Sequence, residues 1–422
     1  GAKEEGGGGA NKVGGPNNNQ LIAQAESATY IKILATLEPL LVAPPKDQPQ
    51  NVSKEDKKLV KYAIHWVERM QRASRKMKKR TFQVLAPDMH GCNWFLPRYL
   101  RPQNPPPGMD TVIKCAHFVS LVPFLEDWQA FVGDTDMWCT SQQFLDILAG
   151  DWEEHAILLM NYFQHLSDTN PADCEAELFL VIGTGIPEGD TVYVMRRDKK
   201  TGDVSLWNAS SGIAYAKEDE RCPMTMIGCL VTRENIYANV QKSGKPCEMS
   251  MDVNDTKCWK TFYSDVFPAP MNPLPSIQEP VLKYRPVNKL FAEELQDELT
   301  ETLKRDIRRW RRGPTSFKGD ASNRLKALLG DLEDVKLGVK SMTHAEHLGK
   351  LEMVTRGREM QGLPLTFAFT DISEIVSKVK ATGIHSCKHP DVEFALAVRV
   401  FPYANNVMNV GVYFSALTPR IS

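Results

Sequence analysis

The sequence lacks any run approaching the ~20 consecutive apolar residues that a bilayer-spanning helix needs, so no membrane span is expected. It lacks a charge excess: 51 Lys and Arg stand against 52 Asp and Glu, for a net charge of −1. A dedicated nucleic-acid binder concentrates positive charge, so no nucleic-acid partner is expected. No C-x-x-C pair occurs among the nine cysteines, at positions 92, 115, 139, 174, 222, 229, 247, 258 and 387. An odd number without a framework reads as reduced thiols in an intracellular protein. No signal peptide is visible and the chain opens on Gly1 rather than Met. It is therefore expected to be a piece of a longer, cytosolic protein.

What is present fills two or three domains, since 422 residues can bury more than one core. Residues 1–19, Gly-rich and then Asn17-Asn18-Asn19, are expected to be disordered. Residues 20–108 read as an N-terminal helical and extended segment, with helices over 20–41 and 54–78 broken at Pro44-Pro45. Leu59, Ala63, Trp66 and Met70 recur at helical spacing and are core candidates. The basic tail of that second helix (Arg72, Arg75, Lys76, Lys78, Lys79, Arg80) complements a helix macrodipole. Its sharper reading is peripheral membrane contact. Extended runs at 81–85 and 94–100 lead to the Pro105-Pro106-Pro107-Gly108 break.

Residues 109–267 have a more definite pattern. The run 112–125 reads as a buried extended segment. A helix over 141–149 opens at Thr140, with Gln143 at capping-box spacing, and closes at Gly150. Asp151 caps the next helix with Glu154 three residues on, and Ala156, Leu159, Met160 and Phe163 line one face. Strands at 177–183, 191–197 and 204–207 follow, the last two joined by a turn at 198–203. A buried helix followed by an antiparallel meander resembles the papain and transglutaminase class, so the expected fold is α+β.

In that class a nucleophilic Cys occupies the first position of the buried helix, and here the matching residue is Trp152. An indole attacks nothing. The strand that would carry the catalytic His reads Thr191-Val192-Tyr193, and the strand for its orienting partner reads Leu206-Trp207-Asn208. A thiol enzyme using Cys139 is the alternative, but no His lies between His165 and His344 to serve as its base. The region reads as a pseudoenzyme. Trp152, Tyr193 and Asn208 are the candidates for lining its degenerate cleft, left open for an extended peptide or plugged by the indole. Neither His385-Ser386-Cys387-Lys388-His389 nor His344 and His347 provides a complete zinc set, and Gly183-Thr184-Gly185 is too short for a dinucleotide loop. No metal or cofactor is expected.

Proline-rich residues 268–286 read as a linker to an α+β C-terminal domain, 287–422. A helix over 288–312 carries Leu295, Leu299, Leu303 and Ile307 in one stripe, closed by Trp310, and its end is crowded with arginines. A hairpin of strands 392–401 and 407–417 turns around Tyr403-Ala404-Asn405-Asn406.

The combination Phe118-Val119-Ser120-Leu121-Val122-Pro123-Phe124, Trp138, Gln143-Phe144-Leu145-Asp146, Leu148-Ala149-Gly150-Asp151 and Glu153-Glu154-His155-Ala156 is specific. With Ile186-Pro187-Glu188-Gly189, Trp207-Asn208, Thr382-Gly383-Ile384-His385 and Val392-Glu393-Phe394-Ala395, it resembles the coiled-coil and C2 domain-containing protein 2A family. The resemblance runs from about residue 80 to the end. A centrosomal family sharing the same inactive module is the nearest competitor. The resemblance implies a non-catalytic scaffold of the ciliary transition zone and basal body, in the cytoplasm and cytoskeleton. It also implies a role in cilium assembly and membrane-protein gating, with other Meckel-type complex proteins as partners. The family carries a C2 domain upstream, and residues 20–80 contain no convincing β-sandwich.

Overall fold

The computed structural model describes residues 53–130, 136–170, 176–311 and 313–420. The expected disorder over 1–19, the helix over 20–41, Cys174 and Arg312 lie outside them.

Helix α1 (Lys57–Arg72) starts at Asp56, whose carboxylate accepts the Lys58 N–H at 2.6 Å, and it buries Leu59, Ala63, Trp66 and Met70. The Trp66 indole Nε1–H donates to the Thr261 carbonyl at 3.1 Å. These residues share one apolar cluster with the central helix and sheet, so the segment through Leu100 is part of that domain's core. A ribbon of β1 (Leu85–Pro87) and β2 (Asn93–Phe95) follows.

The expected extended run at 112–125 is instead mostly helix, α2 (Val112–Ser120). Val112, Ile113 and Val119 favour strands locally. The Thr111 hydroxyl caps the helix by accepting the Lys114 N–H, and Cys115, Ala116, Phe118 and Val119 find a core that only a helix places together. Helix α3 (Ser141–Ile147) has the Thr140–Gln143 capping box, and α4 (Trp152–Thr169) the Asp151–Glu154 one. The left-handed residue ending α3 is Leu148, φ 58°, rather than Gly150. Gly150 has another reason to be glycine: a Cβ there would lie 2.8 Å from the Phe144 ring.

Strands β3 (Ala176–Gly185), β4 (Gly189–Asp198), β5 (Val204–Asn208), β6 (Ile213–Ala216), β7 (Met224–Val231), β8 (Ile236–Asn239) and β9 (Trp259–Thr261) form one antiparallel sheet, ordered β6-β5-β4-β3-β7-β8-β9. Helix α4 packs against the face bearing Leu180, Ile182, Val192, Val194 and Trp207. The opposite face buries Phe179, Val181, Tyr193, Met195 and Leu206 in a separate cluster. Both faces are therefore apolar.

Residues 268–286 are a fastened strap rather than a loose linker. Arg98 Nε donates to the Pro275 carbonyl at 2.9 Å, Gln278 Nε2 to the Tyr99 carbonyl at 2.8 Å, and the Tyr284 and Tyr162 hydroxyls meet at 2.7 Å. Beyond it, α5 (Lys289–Trp310), α6 (Gly319–Lys336), α7 (His344–Thr355), β10 (Glu359–Ala368), α8 (Ile372–Ala381), β11 (Glu393–Pro402) and β12 (Met408–Thr418) make an α+β unit. Its sheet runs β10-β12-β11, with α5 and α8 on one face and α6 and α7 on the other. The β11–β12 turn uses Asn405 and Asn406 at φ 62° and 60°, a region in which Asn is tolerated. Asn405 Nδ2 reaches back to the Leu145 carbonyl, tying this turn to α3.

Candidate functional site

The start of α4 is where the fold would place a nucleophile, and Trp152 stands there as the first helical residue. Its indole is half-buried and packs on the Phe124 ring, centroids 4.5 Å apart. Phe124 is held there by the β-bridge to Gly150 and by the Leu125 N–H, which donates to the Gly150 carbonyl at 2.9 Å.

The electrostatics around this helix start oppose thiolate chemistry. A reactive thiolate needs positive potential. Here, burial first and then the neighbouring Asp151 carboxylate push Glu153 and Glu154 well above the usual carboxylate range. Asp136 rises to about 6 for the same two reasons. Cys139 is buried, and desolvation, followed by Glu154, Asp127 and Asp151, drives its thiol far up. Its N–H is a donor to Glu154 Oε1 at 2.9 Å, so the residue serves the capping network.

The imidazole of the same helix start, His155, is not free to help it. His155 is fully buried, with Nδ1 2.6 Å from the Asp151 carbonyl and Nε2 3.0 Å from the Val122 carbonyl. Burial lowers its pKa, although those two carbonyl contacts work the other way. The ring is wedged against Phe144 at 4.8 Å. It is a core residue.

Tyr193 and Asn208 come together, but not with Trp152. They lie on neighbouring strands one step beyond the Val194–Trp207 pair, and Asn208 Nδ2 is 2.8 Å from the Tyr193 hydroxyl. Strand alternation puts Val192, Val194 and Trp207 on the α4 face, so Tyr193 and Asn208 belong to the other. The pleat thus sets Tyr193 and Asn208 on the face away from α4, whose first residue is Trp152. The residue that sequence reasoning missed is Glu188, in the β3–β4 turn. Its carboxylate accepts from the Tyr193 hydroxyl at 2.9 Å and from Asn208 Nδ2 at 2.8 Å. Desolvation raises the Glu188 pKa, and these hydrogen bonds oppose the rise. The available signal was Glu188-Gly189, a polar turn between two strands. Asn208 Oδ1 also accepts from the Ser210 hydroxyl and the Ser211 N–H, which makes this a turn brace without a nucleophile.

The His385 ring rests on Trp310, centroids 5.2 Å apart, and the His385 and Cys387 carbonyls both accept from Arg311 Nη1. Among the described residues no group of three His, Cys, Asp or Glu side chains is placed to hold a metal ion, and no helix is long and apolar enough to cross a membrane.

Comparison with known proteins agrees with this layout. The family model of the CEP76 peptidase-like domain matches residues 136–262. The model of the centrosomal protein of 76 kDa C-terminal domain matches residues 288–418. Protein CC2D2B of Homo sapiens is 30% identical over 341 residues, covering 78% of this chain and 22% of that protein. Coiled-coil and C2 domain-containing protein 2A of Drosophila melanogaster is 25% identical over 324 residues, covering 76% of this chain and 23% of its own length. The chain thus spans less than a quarter of the relatives it matches. With a peptidase-like module, a strap and a C-terminal α+β unit in that order, it is homologous over about three quarters of its length to proteins of the coiled-coil and C2 domain-containing 2 family.

Proposed function

We propose that this chain is a non-catalytic scaffold module of the ciliary transition zone, acting in cilium assembly and in gating membrane proteins into the cilium. The observation that carries the non-catalytic part is the start of α4: Trp152 packed against Phe124 where a nucleophile would stand. The surrounding carboxyls, and a His155 whose two ring nitrogens face backbone carbonyls, support the same reading. The ciliary placement rests on the homology to those relatives. Its partners are then other Meckel-type complex proteins, with peripheral membrane contact through exposed basic residues such as Arg72 and Lys78 as an accessory.

The test is imaging of the tagged chain in ciliated cells against basal-body and axonemal markers. A band between the two markers is expected. Diffuse cytoplasmic signal would overturn the placement. The matched domain models bear the name of a centrosomal protein, so confinement to centriole walls, cilia or not, would favour a centrosomal scaffold instead.

A further inference from the structure

A pocket of about 440 Å³ lies away from both the Trp152 site and the Glu188–Tyr193–Asn208 brace, sharing no lining residue with either. One wall is the chain after β2, with Pro97, Leu100 and Arg101; another is the β7–β8 turn, with Arg233; the strap closes it with Pro270 and Leu274. The walls are mostly apolar, and the charged groups among them are unequal. Arg98 is neutralised by Glu55 at 2.8 Å. Arg233 is half-exposed, with Glu234 3.6 Å away. Arg101 donates to the Gln278 carbonyl at 3.3 Å and has no carboxylate partner among the described residues. Tyr263, which also lines the pocket, is 8% exposed, and its hydroxyl is buried without a hydrogen-bond partner.

The apolar surface continues outward. Met271, between the lining residues Pro270 and Pro273, is fully exposed. A small metabolite filling the pocket would leave it in water. A chain crossing the rim would cover it.

We propose that this pocket is a docking site for a short acidic peptide segment of a partner protein. A bulky apolar side chain of the segment enters between the strap and the Pro97–Leu100 wall, and an adjacent carboxylate is held by Arg101 and Arg233. Guanidinium–carboxylate bonds supply orientation, and the apolar residue supplies most of the contact area. The proposal rests on the reading of the chain as a binding module, but its test is made on the purified chain. A failed localisation experiment and a failed docking experiment are thus distinguishable.

The test selects a displayed library of short random peptides on the full chain and measures the best synthesised peptide by fluorescence polarisation. Selected peptides are expected to place Asp or Glu beside Leu, Ile, Met or Phe. Arg233→Glu and Met271→Asp, at half-exposed and exposed positions that leave the core untouched, are each expected to weaken binding roughly tenfold with unchanged melting temperature. Arg101→Lys, which keeps the charge, should weaken it less than Arg101→Gln. Sodium octanoate serves as a small-acid competitor and is expected to displace nothing at peptide-like concentrations. Selected peptides without acidic residues, binding indifferent to both rim variants, or displacement by octanoate would each overturn the proposal.

Discussion

His117 Nε2 lies 2.8 Å from Glu333 Oε1, joining α2 to α6 of the C-terminal unit through two buried side chains. The same carboxylate accepts from the Tyr403 hydroxyl and from Asn409 Nδ2, so one acid gathers three polar partners at the junction. Such a group is costly to break singly, because its partners remain buried.

Glu333→Ala is expected to destabilise the chain by about 2–4 kcal/mol in urea unfolding, and His117→Ala by less. Burial by itself would raise the Glu333 carboxyl, but hydrogen bonding and charge from His117, with the Tyr403 bond, outweigh it and hold the folded pKa below the usual value. A depressed carboxyl stabilises the fold above its unfolded pKa of about 4.3 and loses that contribution as pH falls through the folded value. The gap between wild type and Glu333→Gln should therefore be full at pH 6 and shrink below about pH 4.3. A gap independent of pH would refute the assignment.

Trp152→Cys returns a thiol to the first position of α4 without returning an enzyme. The helix dipole lowers a thiol pKa there, but Asp151, Glu153 and Glu154 oppose it and both ring nitrogens of His155 face backbone carbonyls. Labelling by an iodoacetamide probe across pH should show an alkaline limb at or above ~8.5 for this variant. In the native chain exposed Cys247 should label well before buried Cys139. Rapid, selective labelling of Cys139 below neutral pH would restore the thiol-enzyme reading.

Tyr193→Phe removes the hydroxyl shared by Glu188 and Asn208 and should cost about 1 kcal/mol; Asn208→Ala should cost about 1–2 kcal/mol. Because the two side chains touch, a double-mutant cycle should show coupling above ~0.5 kcal/mol. Additive effects would mean that the brace is incidental. Neither variant should alter packing at Trp152.

Trp66→Ala should cost about 3–5 kcal/mol, as for other large-to-small changes in a core, because α1 closes the same cluster as the sheet. Unfolding should stay cooperative with the rest of that cluster. A variant that loses only local helix signal would mark α1 as a separate appendage.

Sequence alone determined the elements whose causes are local. The Thr140–Gln143 and Asp151–Glu154 boxes are contacts between residues three apart, so they could be read without knowing what surrounds them. The stripe from Leu295 to Ile307 and the β11–β12 hairpin are likewise set by periodicity and a short Asn-rich turn. Tertiary structure decided the rest. The apolar run 112–120 became helix because its partners are long-range, and β-branched composition carries no information about them. The face that Tyr193 and Asn208 occupy was decided in the same way: a strand buried on both faces does not reveal which alternate set meets the helix, and a one-residue choice of pleat moves a side chain across the sheet. The strap and its pocket were invisible for the same reason, since Arg101, Arg233 and Pro270 are brought together only when distant segments fold onto one sheet.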